Sequence, residues 1–352
     1  MKFALLFHCP WPEGSDITTK YKQLIEQVQL GEDLGFHSAW FAEHHFSRFG
    51  LGASSLVVLS HIAAKTSKIR LGTAIIIPTL QHPVKVAEDT ATLDQLSDGR
   101  LDVGFGRGTG QAEFGGYGID PANARDRFYE CVEVIQGLWT TPGYTHHGEY
   151  YNMDDVTLVP QPLQKPHPPI YIAATKSQSS LEFAANNGHI LLEGAYLDIP
   201  EAVDKFQRFQ VMSKDAGFPH AFADIPFFRN FFVTEHPERI VEDIKDKVEW
   251  LQDMVQWRNG FAVGSDANSS IEEYRRHRAF APRGFDYVND HRAVYGDPEY
   301  CIDRIEFFQK EGVEYMGGAF AWGGLDHKMI MRSMELFGKK VMPHFASVAT
   351  TA

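Results

Sequence analysis

The stretch Ser38-Ala39-Trp40-Phe41-Ala42-Glu43-His44-His45-Phe46 is an apolar run that ends in a carboxylate and two adjacent imidazoles. A strand buried on both faces of a parallel sheet is a nearly continuous apolar segment. In a parallel barrel the functional groups lie where such strands end. Glu43, His44 and His45 are therefore the first functional candidates. For an isolated histidine pair we would favour a plainer interpretation, one ring in the core and one capping a loop, so the choice depends on the rest of the chain.

The composition is that of an ordinary globular protein. The chain has 352 residues, of which 43% are hydrophobic and 22% charged, enough to bury a large core. A formal net charge of −13 repels phosphate backbones and anionic membranes. We therefore expect neither nucleic acid nor a membrane as a partner.

The cysteines and the N-terminus indicate a cytoplasmic protein. Cys9, Cys131 and Cys301 are widely separated and form no C-x-x-C pair, which is typical of reduced thiols. The apolar segment 1–7 is too short for a signal peptide and is interpreted as the first strand. No apolar stretch approaches the length of a membrane span.

Strand-like apolar runs alternate with amphipathic helical segments along the chain. The predicted strands are residues 1–7, 38–42, 69–77, 100–105, 168–174, 189–192, 227–234 and 313–320. Eight strands joined by helices predict an α/β fold, a single (β/α)₈ TIM barrel that spans residues 1–352 as one domain. A short polar hairpin at 144–153 is predicted as an insertion before the fifth strand.

A long polar connection, residues 257–298, separates the seventh and eighth predicted strands. It is rich in Gly, Asn and Arg and contains the cluster Arg275, Arg276 and Arg278. Long structureless connections in compact domains are usually functional or mobile. We interpret the segment as a mobile lid over the strand ends, and a solvated run of charges is the alternative.

Two further strand ends carry groups that suit an anion. The glycine-rich segment 104–110 contains Arg107, but no register of it gives G-x-G-x-x-G opening a helix, so a Rossmann fold is disfavoured. Lys176, Ser177, Ser179 and Ser180 precede a predicted helix, where unpaired backbone N–H groups and the helix dipole attract anions. Capping by Ser177 alone would explain one hydroxyl but not the cluster, so phosphate binding is the favoured interpretation.

On one barrel, these strand ends would form a single site. Arg107 and Lys176, with Arg125 nearby, suit a phosphate monoester. The apolar side chains of Phe7, Phe46, Ile75 and Phe105 suit a flat aromatic cofactor. A metal is not expected, because adjacent histidines on a strand end point apart and no H-E-x-x-H helix exists. There is no G-x-S-x-G motif for a hydrolase either.

These residues carry a family resemblance. The chain resembles the bacterial luciferase family of flavin-dependent monooxygenases, most closely the α subunit. The likeness covers nearly the whole chain, and its specific part is the order of Glu43-His44-His45-Phe46, His82-Pro83-Val84, Gly106-Arg107-Gly108, Arg125 and the segment 169–185.

The resemblance implies a barrel that binds reduced FMN at the strand ends, reacts it with O₂ to a flavin C4a-peroxide and passes oxygen to a small or mid-sized organic substrate. It implies catalytic roles for His44, as the acid/base, and Glu43. It implies a cis peptide at Ala74-Ile75 against the flavin ring. The remaining expected cofactor contacts are Gly106, Arg107, Arg125, Lys176, Ser177, Ser179 and Ser180, and the expected substrate contacts are His45, Phe46, Leu192 and Glu193.

Departures from the family pattern limit what is expected. Gly106 stands where the light-emitting subunit has a reactive cysteine, Lys176 replaces an acidic residue, and the segment 192–195 lacks a tryptophan. Light emission and a long-chain aldehyde substrate are therefore in doubt. We expect a homodimer that receives FMNH₂ from a separate flavin reductase, because no nicotinamide fingerprint is present. The alternatives are a deazaflavin- or FMN-dependent dehydrogenase without oxygen activation, and a flavin-storing barrel without turnover.

Glu193 offers one clue to the substrate. A carboxylate buried without a partner is costly, so an inward Glu193 is expected to meet a lid arginine or a polar substrate group. This favours a mid-sized, partly polar substrate. A Glu193 turned to solvent is an equally open alternative.

Overall fold

A parallel sheet of nine strands forms the centre of the part of the chain that the structure describes. The computed structural model describes residues 1–174, 177–219, 222–260, 275–276 and 283–346. The sheet contains β1 (Lys2–Phe7), β2 (Ser38–Phe41), β3 (Arg70–Thr73), β4 (Leu101–Phe105), β7 (Ile170–Ala173), β8 (Ile190–Leu192), β9 (Phe227–Val233), β10 (Ala293–Gly296) and β11 (Tyr315–Ala319). The antiparallel strands β5 (Tyr144–His147) and β6 (Asn152–Val156) form the predicted hairpin.

The strand order is that of a barrel. It runs β10-β9-β11-β1-β2-β3-β4-β7-β8, and a parallel bridge between Glu193 and Phe227 connects the end of β8 to β9. Eight strands therefore form the ring, and β10 is an additional strand on the second half of β9. The predicted (β/α)₈ barrel is confirmed. All of its strand ends that carry candidate residues lie at one rim.

Helices follow the strands in the order that the sequence predicts. They are α1 (Ile17–Leu34), α2 (Ser55–Ala63), α3 (Pro83–Leu96), α4 (Gln111–Gly116), α5 (Ala124–Thr140), α6 (Gln178–Asn186), α7 (Ile199–Asp215), α8 (Ile240–Gly260), α9 (Phe285–His291), α10 (Pro298–Lys310) and α11 (His327–Leu336). Helix α1 begins where Asp16 accepts a bond from the backbone N–H of Thr19, and it ends at Gly35 with φ +87°. Among the described residues, no helix has the length and apolarity that a membrane crossing requires.

The connection between β9 and β11 corrects part of the lid prediction. Helix α8 extends to Gly260, and the segment 283–298 contains α9 and β10, so the described part of the predicted lid has regular structure. Strand β10 was not predicted because it is only four residues long, although all four residues are buried. Residues 261–274 and 277–282, including Arg278, lie outside the described residues.

Trp40 fills the interior of the barrel. Its ring meets Tyr171 edge to face at 4.8 Å, and its Nε1 donates to Ser38 Oγ at 2.7 Å. Ser38 Oγ in turn lies 2.5 Å from the hydroxyl of Tyr315 across the barrel. Gly72, on the neighbouring strand β3, lies directly against the indole, where any Cβ would overlap the ring. Trp40 cannot move away without breaking this buried hydrogen bond.

The substitution Gly72→Ala should therefore destabilise the protein by about 1–3 kcal/mol, the usual cost of overpacking a buried site. Chemical denaturation would measure the free energy of unfolding. Gly284→Ala is the matched control, because no residue that the structure describes lies within 4 Å of a Cβ at that position. Equal stability of the two variants would contradict this account of the barrel interior.

Candidate active site

A buried carboxylate and an imidazole are paired at the end of β2. Glu43 is 3% exposed and His45 7%. His45 Nε2 lies 3.1 Å from Glu43 Oε1, and the same oxygen accepts a hydrogen bond of 3.3 Å from the backbone N–H of Ile77. His45 Nδ1 lies 3.3 Å from the hydroxyl of Tyr117. Glu43 thus connects the end of β2 to the segment that follows β3, and His45 connects it to the loop after β4.

The ring of His44 is held on several sides. Phe49 contacts it edge to face with ring centroids 4.6 Å apart, and the ring of His8 stacks on it at 5.8 Å with an interplanar angle of 20°. The tight approach of Gly50 adds a further wall, since a Cβ there would lie 3.3 Å from His44 Cδ2. His8 directly follows β1 and was missed in the sequence. The rule that identified His44, a polar residue at the end of a buried strand, would have found it.

A second buried carboxylate, Glu113, was also missed. It lies on α4, is 5% exposed, and accepts a hydrogen bond of 3.2 Å from the backbone N–H of His45. Its Oε1 is 4.0 Å from Nδ1 of His44. The only signal in the sequence is an acidic residue in a short glycine-bounded segment just after the tip of β4, which is weak.

Burial controls the proton affinity of this group of side chains. Burial raises the pKa of Glu43, and the nearby carboxylate of Glu113 adds to the increase. The hydrogen bond and charge of His45 and the N–H of Ile77 act in the opposite direction. Burial, with smaller contributions from Glu43 and Glu113, also raises the pKa of Tyr117. The Glu43 carboxyl therefore holds a proton more tightly than an exposed one, which suits exchange of protons with a neighbouring imidazole.

Ala74 and Ile75, which follow β3, form an apolar ledge beside these polar groups. The Ala74-Ile75 peptide bond is cis, as the family resemblance implied. Ile75 packs over Gly106, where any Cβ would overlap Ile75 Cδ1 and lie 3.3 Å from the Cβ of Ala173. Gly106 therefore contributes space for Ile75 on the tip of β4. The side chains of this ledge are apolar, which suits contact with an aromatic ring.

The groups predicted to bind phosphate are only partly brought together. Ser177 caps α6 by accepting from the backbone N–H of Ser180 at 3.2 Å, which the plainer interpretation predicted. Its hydroxyl also lies 3.1 Å from that of Ser180 and 3.0 Å from that of Ser179, so three hydroxyls gather at this helix end. Arg107 is half-buried on the tip of β4, whereas Arg125 is exposed in the first turn of α5. Lys176 lies outside the described residues.

The two expectations for Glu193 are both wrong. Glu193 is 1% exposed and pairs with Lys205 of α7 at 3.2 Å, so it faces neither solvent nor a lid arginine. The reason is the alternation of side chains along a strand. Leu192 points into the barrel, where its Cδ2 lies 2.9 Å from the position of a Cβ on Gly104, so Glu193 points outward under α7. Phe46, with φ +54°, is 48% exposed and packs towards Tyr117 at the edge of the site.

Comparisons with known proteins agree with this geometry. The profile of the family described as luciferase-like monooxygenase matches residues 1–315. The oxygenase component of the flavin-dependent trigonelline monooxygenase of Acinetobacter baylyi is 28% identical over 360 residues, with 98% of this chain and 96% of that protein covered. The alkanal monooxygenase alpha chain of the Kryptophanaron alfredi symbiont is 26% identical over 357 residues, with 98% of each covered.

A solved structure extends the likeness to three dimensions. The monooxygenase RslO1 of Streptomyces bottropensis superposes with a TM-score of 0.83 at 26% identity, covering 98% of this chain and 100% of that one.

The buried pair of Glu193 and Lys205 leads to a prediction on pH. Burial raises the pKa of Glu193 from 4.5 to about 7, against the opposing charges of Lys205 and Arg229. A folded pKa above the unfolded value means that the stability due to this group is present at low pH and is lost as the pH rises through about 7. The difference in the free energy of unfolding between the wild type and Glu193→Gln should therefore fall by about 1–3 kcal/mol between pH 4.5 and about 7.

Denaturation at a series of pH values would measure this difference. Asp215→Asn, at an exposed carboxylate at the end of α7, is the control and should show no such trend. A difference that stays constant between pH values of about 4.5 and 7 would refute the prediction.

Proposed function

Because the chain belongs to the luciferase-like monooxygenase family, we propose that it is the oxygenase component of a two-component system that uses reduced FMN and O₂ to oxygenate a small or mid-sized organic substrate. The flavin would supply the electrons that activate O₂. The residues of this chain would bind the flavin, exclude water and handle protons.

The described residues fit a flavin mononucleotide. The ledge of Ala74 and Ile75 would support the ring, with Gly106 giving Ile75 the space to lie flat. The guanidinium of Arg107 and the hydroxyls gathered at the start of α6 suit the phosphate, because a planar cation and a helix end are good anion partners. Lys176 and Arg125 remain proposed contributors to the same phosphate site.

The contact between Glu43 and Ile77 carries the proposal. One buried oxygen bonds both His45 and the backbone just beyond the cis peptide, at 3.1 Å and 3.3 Å. It thereby sets proton-handling side chains beside the apolar ledge. This arrangement suits a flavin enzyme, because an acid or base positioned beside the ring can deliver or remove protons during the reaction.

His44 is the proposed acid/base residue, and Glu43 and His45 are proposed to support it. The side chain of His44 is only 11% exposed, so its ring is largely kept from bulk water. His45, Phe46 and Leu192 are proposed to line the substrate pocket. The argument for a polar substrate from Glu193 no longer applies, because that carboxylate meets Lys205.

The partners are proposed from the same features. A separate reductase is expected because the chain has no nicotinamide fingerprint, and because the Acinetobacter baylyi relative is itself an oxygenase component. A cytoplasmic location agrees with the three free thiols, of which Cys131 and Cys301 are buried. A homodimer remains the default assembly for a lone chain of this kind.

The proposal can be tested by isotope incorporation. Photoreduced FMN and enzyme are mixed with ¹⁸O₂ and a panel that includes trigonelline, decanal, cyclic ketones and aromatic compounds. We expect at least one product with a single ¹⁸O atom and flavin reoxidation that depends on the substrate. Reoxidation at the rate of free flavin without labelled product would overturn the proposal, and anaerobic turnover with a reduced deazaflavin would instead indicate a dehydrogenase.

His44→Ala serves as the site control in this assay. We expect FMN affinity close to that of the wild type and oxygen transfer slower by about 10²-fold, the usual scale for a general acid or base. His61→Ala, an exposed histidine on α2, should behave like the wild type. A normal rate in His44→Ala would remove His44 from the mechanism.

The role of Arg107 in phosphate binding gives a separate prediction. Arg107→Ala should weaken FMN binding by about 1.5–3 kcal/mol while changing riboflavin binding much less, because a charge-assisted contact is lost only with FMN. Calorimetric or fluorescence titration with both ligands would measure this. Arg239→Ala, an exposed arginine paired with Asp243, is the control. Equal losses for FMN and riboflavin would contradict a phosphate contact.

A further inference from the structure

We propose that Glu113 is a positioning residue for His44: it selects the orientation and tautomer of the ring in which Nδ1 is protonated and faces Glu113, and Nε2 is the basic nitrogen. The inference rests on the proposed function only for the task of His44. Its evidence is the arrangement of α4 against the end of β2.

The carboxylate of Glu113 is itself fixed in place. It is buried, and its Oε1 accepts the backbone N–H of His45 at 3.2 Å. The same oxygen lies 4.0 Å from Nδ1 of His44. Because Glu113 is hydrogen-bonded to the backbone of His45, its side chain is held beside the ring of His44. Glu113 therefore keeps its carboxyl group beside one edge of the His44 ring.

The aromatic neighbours of His44 fix the plane of its ring, but they do not determine which edge of the ring faces Glu113. His8 stacks on one face, Phe49 contacts the ring at 4.6 Å, and Gly50 approaches Cδ2 closely. These contacts are apolar or aromatic in character, and they would tolerate a ring turned by 180° about χ2. A carboxylate at one edge distinguishes them: it attracts Nδ1–H, whereas a turned ring would present only Cδ2–H, and a deprotonated Nδ1 would present a lone pair that the carboxylate repels.

The separation of 4.0 Å is an electrostatic contact and is longer than a hydrogen bond. Catalytic hydrogen bonds are often long in the free enzyme and shorten when the site is loaded. In either state, an N–H at Nδ1 is the arrangement of lower energy. Histidines that act as bases or bind metals are oriented in this way by a carboxylate on their other nitrogen.

The tautomer can be read in the flavin-free protein. Long-range ¹H–¹⁵N spectra of histidine-labelled protein distinguish Nδ1–H from Nε2–H. The chain has 16 histidines, and the signals that are missing from the spectrum of His44→Gln are those of His44. We expect Nδ1–H in the wild type and in Glu113→Asp, and mainly Nε2–H in Glu113→Leu. Glu26→Gln, which removes a carboxylate 2.9 Å from His327, should leave the His44 signals unchanged.

Two results would overturn the inference: Nε2–H in the wild type, or unchanged Nδ1–H in Glu113→Leu. If Glu113→Leu does not fold, Glu113→Gln replaces it, because its oxygen still accepts from His45 while the charge is gone. Glu113→Gln should then shift His44 towards Nε2–H.

Kinetics supply the second readout. Glu113→Gln should slow the substrate-dependent step about tenfold or more with FMN affinity nearly unchanged, the usual consequence of losing an orienting partner. A parallel loss of FMN affinity and rate would indicate a merely structural role. The tautomer result stands without any turnover, so failure of the isotope experiment and failure of this inference are separate outcomes.

Discussion

The hydrogen bonds of one buried carboxylate, Glu43, connect the ends of two neighbouring strands. Its Oε1 bonds the imidazole of His45 and the backbone N–H of Ile77. Buried polar groups that lack a partner are costly, so each of these three groups depends on the other two. This mutual dependence keeps the end of β2 and the segment after β3 in a fixed relation. The apolar ledge and the histidines are consequently parts of one rigid unit.

The electrostatic character of the site follows from the same burial. Glu43 and Glu113 are near each other and out of water, and this raises the pKa of Glu43. The hydrogen bond and charge of His45 oppose this increase without cancelling it, because desolvation by burial is the largest effect. The result is a site in which the Glu43 carboxyl holds a proton more tightly than an exposed carboxyl would, beside two imidazoles and an aromatic core.

The sequence was sufficient for the ring of strands and for the residues on strand ends. Buried parallel strands are continuous apolar runs, and the residue that ends such a run, as Glu43 and His44 do, is recognisable without coordinates. Glu113 was missed because its importance comes from the packing of α4 on β2, which no local pattern encodes. Glu193 was misjudged because the direction of its side chain depends on the alternation along a three-residue strand. A shift of one position moves a side chain from the barrel interior to the interface with the helices. Strand β10 was too short to distinguish from a loop.

Gly106 and Ile75 are packed so closely that larger side chains at these two positions would occupy the same space. A Cβ at position 106 would overlap the side chain of Ile75, so residues at 75 and 106 cannot be enlarged independently. A larger residue at position 106 should therefore require a smaller one at position 75. The two positions form a size-exchange pair, in which bulk can move between the segment after β3 and the tip of β4 while the barrel stays the same.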